Sequence, residues 1–219
     1  MAPGPEPSAG VAARRRAAVL AGHTGDQHAA RVAVADPDPV VRASGLTALY
    51  RMGALSADDL EMAWADPSAT VRRRACTIAG RLRSVELAGP LVEALADHDA
   101  SVVEAACWAL GETWEEGSAR TPGDLAALDA LRQRAGAHPD PLCREAAVAA
   151  LGAVGHPSGL SAVLAALNDK PAVRRRAVVA LAAFEGPEVS EALERAAQDR
   201  DWQVRQTAED LLGRRPRPS

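Results

Sequence analysis

The chain has 219 residues, of which 50 are Ala and 24 Arg against a single Lys (Lys170), with four Trp, one Tyr and one Phe. So few aromatic and β-branched residues exclude a β-sandwich or barrel of this length, and the Ala excess favours helix. Charged residues at 25% with 47% hydrophobic exclude wholesale disorder, and a net charge of −4 argues against a surface dedicated to nucleic acid.

Residues 1–10 are rich in Pro, Gly and Ala, with no apolar run beside a basic start. They are not a secretory signal and are expected to form a disordered tail. Residues 214–219, Arg-Arg-Pro-Arg-Pro-Ser, are expected to form a second. Between them lies one domain, residues 11–213. No run approaches 18 apolar residues, so no membrane span is expected, and a cytoplasmic setting follows.

One phrase recurs along this domain: Val-Arg-x-x-Ala-x-x-Ala-Leu. It starts at Val41, Val71, Val102, Cys143, Val173 and Val204, at steps of 30, 31, 41, 30 and 31, and a degenerate copy starts at Ala13. Apolar residues at offsets 0, 4, 7 and 8 form one stripe of an α-helix. Three residues before the leading position stand the helix-capping residues Asp38, Ser68, Asp99, Asp140 and Asp201, with Lys170 the exception. Pro39 and Pro141 follow their caps, where a missing N–H costs nothing. Gly53, Gly80, Gly111, Gly152 and Gly213 fall near the far ends and are expected to stop these helices in a left-handed conformation.

A second helix is predicted before each motif helix, at about 26–35, 57–65, 85–96, 124–135, 158–167 and 188–198. Leu60, Leu91, Leu95, Leu128, Leu131, Leu164, Leu167 and Leu193 supply their apolar faces. One such hairpin cannot bury its own stripe, and stacking on neighbours completes the core.

These repeats resemble HEAT repeats, in particular the short variety with steps near 30 first named from bilin-lyase subunits. The resemblance spans residues 11–213. It implies an all-α fold: a right-handed α-solenoid, or superhelix, of about six hairpins plus an N-terminal capping helix. The motif helices would line the concave face. Its functional implication is a binding scaffold, and fold alone does not fix function.

An acid precedes most motif arginines: Asp36/Arg42, Asp66/Arg72 and Asp199/Arg205 at six residues, and Asp169/Arg174 at five. In HEAT families such residues resemble the pairs that bridge adjacent repeats, so this ladder is read as structural. Two units break it, with Val103 in place of the Arg and His138 in place of the Asp.

Chemistry-bearing motifs are few. Cys76, Cys107 and Cys143 sit at core positions and lack zinc-ligand spacing. His98 and His138 lie in neighbouring turns, but capping roles explain the carboxylates beside them, so no metal is expected. HEAT-like hydroxylases rely on His-Glu pairs, and no such dipeptide occurs here. Phosphate-binding loops and nucleophile elbows are likewise missing. No catalytic residue and no cofactor are therefore assigned.

Offsets 2, 6 and 10 lie beside the buried stripe of each motif helix. They read Arg73/Thr77/Arg81, then Glu104/Trp108/Glu112, then Glu145/Ala149/Ala153 and Arg175/Val179/Ala183. Basic positions thus flank an acidic zone that carries a Trp. The same unit precedes the long step, which inserts a loop at about 115–123, and adds Trp114. Glu104, Trp108 and Glu112 suit an Arg or Lys side chain. Trp64 and Trp202 are assigned to packing.

The expected function is a non-catalytic scaffold that binds a protein or peptide, with Glu104, Trp108, Glu112, Trp114, Arg73, Arg81, Glu145 and Arg175 as the binding surface. Polar ends favour a monomer. One alternative is nucleic-acid or DNA-repair work, because HEAT-like alkylpurine glycosylases place a carboxylate one turn from a Trp, as Trp108 and Glu112 stand here. Another is a bilin-lyase-like accessory role on a small molecule.

Overall fold

A computed structural model describes residues 9–114 and 122–214. Most of the two expected tails and positions 115–121 of the expected loop lie outside the described residues. The rest is helical. Thirteen α-helices and no strand occur among the described residues.

The motif helices are α1 (Ala9–Thr24), α3 (Pro39–Arg51), α5 (Ala69–Leu82), α7 (Ala100–Thr113), α9 (Pro141–Val154), α11 (Pro171–Ala180) and α13 (Trp202–Arg214). Their partners are α2 (Gln27–Val34), α4 (Ala57–Trp64), α6 (Ala88–Ala94), α8 (Pro122–Ala137), α10 (Leu160–Ala166) and α12 (Pro187–Ala196). The fold is an all-α solenoid of six hairpins with α1 as the N-terminal cap. Each predicted second helix is present. Two of them open with a 3₁₀ turn, at Val85–Leu87 and Pro157–Gly159.

Two compact units divide the chain, residues 1–78 and 79–219. In the first, α1 and α2 both pack on α3, and Ala21, Ala30, Ala48 and Leu49 meet in one buried cluster. In the second, α7 packs on α9, α9 on α11 and α11 on α13, while the partner helices touch one another less. The motif helices are therefore the tightly stacked layer of that unit.

Four of the expected caps are observed. Asp38, Asp99 and Asp140 accept the backbone N–H of Val40, Ser101 and Leu142, each at 2.9 Å. Asp201 accepts that of Gln203 at 2.9 Å. Lys170 makes no side-chain cap.

The glycines need correction. Gly53 (φ +66°) is left-handed, and so is Gly155 (φ +62°), which ends α9. Gly80, Gly111, Gly152 and Gly213 are helical instead. Three of these, with Gly22, let helices approach. A Cβ on Gly22 would lie 2.9 Å from Cα of Ala48, and one on Gly80 2.8 Å from Cα of Ala109. On Gly152 it would lie 2.7 Å from Cβ of Ala180, and on Gly111 3.3 Å from Cα of Ala150. Each Gly stands at offset 9 of one motif helix and faces the offset-7 Ala of the next. The rule is spatial, so a helix-end reading of the sequence misses it.

The first prediction follows from that spacing. Gly152→Ala should destabilise the fold by about 1–3 kcal/mol, as overpacking does, although Ala is the better helix former. Gly136→Ala, with nothing within 4 Å of its Cβ, should instead gain up to about 1 kcal/mol. Urea unfolding of both variants checks the opposite signs.

Candidate functional site

The turn between each partner helix and its motif helix is organised by the ladder acid. Asp36 accepts the N–H of Asp38, Asp66 that of Ser68 and Asp199 that of Asp201, at 2.7–2.9 Å. The motif Arg of the same repeat donates to carbonyls of this turn: Arg42 to Asp36 O at 3.0 Å, Arg72 to Asp66 O at 2.9 Å, Arg174 to Asp169 O at 2.8 Å and Arg205 to Asp199 O at 2.7 Å.

The carboxylate itself faces the preceding repeat. Arg42 Nε and Nη2 each lie 2.8 Å from the two oxygens of Asp66. Arg14 grips Asp36 in the same way, Arg144 grips Asp169, and Arg174 grips Asp199 at 2.8 and 2.7 Å. Two parallel N–H···O bonds of this kind fix geometry as well as charge. The ion pairs therefore run 22–25 residues along the chain, from one repeat to the next, and not across the six-residue spacing seen in sequence.

In this register the two irregular units become one event. The rung from position 103 would reach position 138, and these carry Val and His. His138 keeps the turn-forming half of the role, its Nδ1 accepting the N–H of Asp140 at 3.1 Å, and Arg144 donates to its carbonyl at 2.7 Å.

The pairs set the response to acid. The guanidiniums of Arg14, Arg144 and Arg174 hold Asp36, Asp169 and Asp199 below the ordinary carboxylate range. Burial pushes Asp66 up, but Arg42 and the Ser68 N–H outweigh it and the net direction is down. A carboxyl with a lowered folded-state pKa contributes stability that is full above the unfolded value, about 4, and is lost as pH falls through the folded value. Unfolding free energy should be level from pH 7 to about 5 and fall steeply below about 4. Denaturant titrations across that window check it.

The solvent-facing stripe of the motif helices is distributed as follows. Arg73 is exposed and Thr77 half-buried in the first unit, and the other stripe residues belong to the second. Trp108 is 42% exposed on α7. Its ring lies against Gly80, where a Cβ would come within 2.6 Å of Cζ3. Glu104 is exposed one turn before it. Glu112, one turn after, is half-buried, 3.7 Å from Arg83. Arg81 is exposed.

Glu145 and Arg175 are engaged within the unit, Glu145 by Arg176 at 3.3 Å and Arg175 by Gln203 at 2.7 Å. Trp114 stands apart from Trp108. It ends α7, half-buried, and meets His156 edge-on with ring centroids 6.1 Å apart. Trp202, read as a packing residue, is 65% exposed at the start of α13.

The cysteines are buried and free. Burial pushes Cys107 up to about 12 and Cys143 up to about 11, which denies both the thiolate that nucleophilic chemistry requires. Among the described residues no cluster of His, Cys, Asp and Glu has the arrangement of a metal site, and no helix is long and apolar enough to cross a membrane.

The family model of HEAT repeats matches residues 58–151 and 128–213. The chain belongs to the HEAT-repeat family. Among characterised proteins compared by sequence, none matches. Among solved structures, this HEAT protein is similar to Escherichia coli YibA, at 16% identity and TM-score 0.60, over 96% of this chain and 77% of that one. It is also similar to a designed armadillo repeat protein in complex with the peptide (KR)4, at 19% identity and TM-score 0.56, over 91% and 97% of the two chains. Computationally designed armadillo repeat proteins for modular peptide recognition match at 18% identity and TM-score 0.53, over 91% and 97%. These likenesses establish the repeat-solenoid architecture.

Proposed function

We propose that this HEAT protein is a non-catalytic scaffold that binds a protein or peptide through the motif-helix stripe of its second unit, with Trp108 as the anchor. The carrying observation is the seat of that ring. In a chain with few aromatic residues, one indole lies exposed on a glycine, with a glutamate one turn to either side. A ring face held between two carboxylates attracts a cation, with about 0.5–2 kcal/mol from the ring itself. The ligand class is therefore an Arg or Lys side chain displayed by a partner. That a designed repeat protein of similar fold holds a (KR)4 peptide supports the same ligand class.

The test is fluorescence anisotropy with a labelled (Lys-Arg)4 peptide. Trp108→Ala and Glu104→Arg should each weaken binding about tenfold, a loss of about 1.4 kcal/mol, and added salt should weaken the wild type further. If both variants bind like the wild type, Trp108 is not the anchor.

A further inference from the structure

The first unit has a different surface on the side of its partner helices. An apolar pocket of about 280 Å³ opens between α2 and α4, with Leu46 and Val71 among its lining residues and Val34, Ala63 and Met62 beside them. Two ion pairs also line it, Arg31 with Asp59 and Arg42 with Asp66. Their charges are mutually neutralised. Asp59 accepts the Ser56 N–H and hydroxyl as well, and Arg31 also donates to the Ala54 carbonyl at 2.8 Å. The pocket therefore offers its ligand apolar surface and no uncompensated charge.

Both flanking helices also expose apolar side chains. Val32 is 60% exposed and Met62 62% exposed. Both stand four residues before their ladder acid. In the second unit that register carries Glu93, Arg134, Ala165 and Arg195. Three of four are charged, as an ordinary solvated helix face requires. On α4, Asp58 lies one turn from Met62 on the same face, and Glu61 adjoins it; both are exposed.

We propose that this surface docks the aliphatic anchor of a basic amphipathic helix from a partner protein. The pocket, of about 280 Å³, exceeds a cavity of about 150 Å³ that holds one benzene-sized group. One or two aliphatic side chains fit it. Val32 on α2 and Met62 on α4 add exposed apolar side chains on both helices that flank the pocket, and Met adapts its shape to an incoming side chain. Asp58 and Glu61 fix the sign: Lys or Arg beside the anchor meets them, and acidic residues are repelled. The site is independent of Trp108.

The chain carries three methionines, Met1, Met52 and Met62, so a ¹³C-methyl Met spectrum of the full chain reads this surface directly. Met52 packs against the first unit's core and serves as the internal reference. The probe is a 14-residue helical peptide with Leu at i, i+3, i+4 and i+7 and Lys elsewhere. It should shift the Met62 methyl saturably and leave Met52 in place. A peptide with Ser for Leu, or Glu for Lys, should bind at least tenfold more weakly. Met62→Glu and Val32→Glu, both at exposed positions, should preserve the helical circular dichroism and each lose tenfold or more in affinity. Trp108→Ala should leave this binding unchanged. An unmoved Met62 methyl at millimolar peptide overturns the proposal, as does equal binding of the Lys and Glu peptides. Saturation of the same methyl by benzyl alcohol but not by the peptide assigns the pocket to a small molecule and also overturns it.

Discussion

Asp199→Ala should lower the unfolding free energy by about 2–3 kcal/mol, the order of loss when one partner of a largely buried ion pair is removed. Arg174 is only 4% exposed and donates both Nε and Nη2 to this carboxylate. Without it the guanidinium keeps one bond to the Asp169 carbonyl and stays buried with uncompensated charge. The turn also loses the acceptor of the Asp201 N–H. The measured loss should exceed that of Asp129→Ala, which breaks an exposed pair with Arg132 and should cost less than about 1 kcal/mol. Urea unfolding at pH 7 decides the matter. Similar losses for the two variants would reduce the rung to an ordinary surface pair.

The repeats were legible because their signals are local. Helix caps at Asp38, Asp99, Asp140 and Asp201 act within two or three residues, and apolar spacing alone defines a helix face. What the sequence could not show is which residue meets which across a repeat. Asp66 and Arg72 sit six apart, yet the carboxylate of Asp66 goes to Arg42. Gly152 reads as a helix stop, yet it is a point of contact with Ala180. The pair bridges adjacent repeats as the resemblance implies, whereas the glycine error comes from treating a one-dimensional neighbour as the physical one.

The proposed binding surface was legible in part for the same reason. Glu104, Trp108 and Glu112 share a helix face by their spacing, whereas Trp114, six residues beyond Trp108, turns to another side and meets His156. The pocket between α2 and α4 left no motif. Its one sequence trace is the apolar register of Val32 and Met62, visible only once the ladder acids align the repeats.

Restoring the missing rung gives the other large effect. Val103→Arg alone should destabilise the fold by about 3 kcal/mol or more, because it places a cation at a fully buried position whose counterpart in the ladder register, position 138, is not a carboxylate. His138→Asp alone should change stability by less than about 1 kcal/mol, since a carboxylate can take over the Asp140 N–H that His138 now accepts. Together they should recover at least about 1.5 kcal/mol of the summed losses, a coupling within the range for residues in contact. The four side-chain rungs described, from Arg14–Asp36 to Arg174–Asp199, set the geometry the double variant would copy. Additivity within about 0.5 kcal/mol would show that positions 103 and 138 do not face each other. Coupling would explain why both partners are replaced together: losing one alone strands a buried charge, whereas losing both leaves an apolar contact and an intact turn.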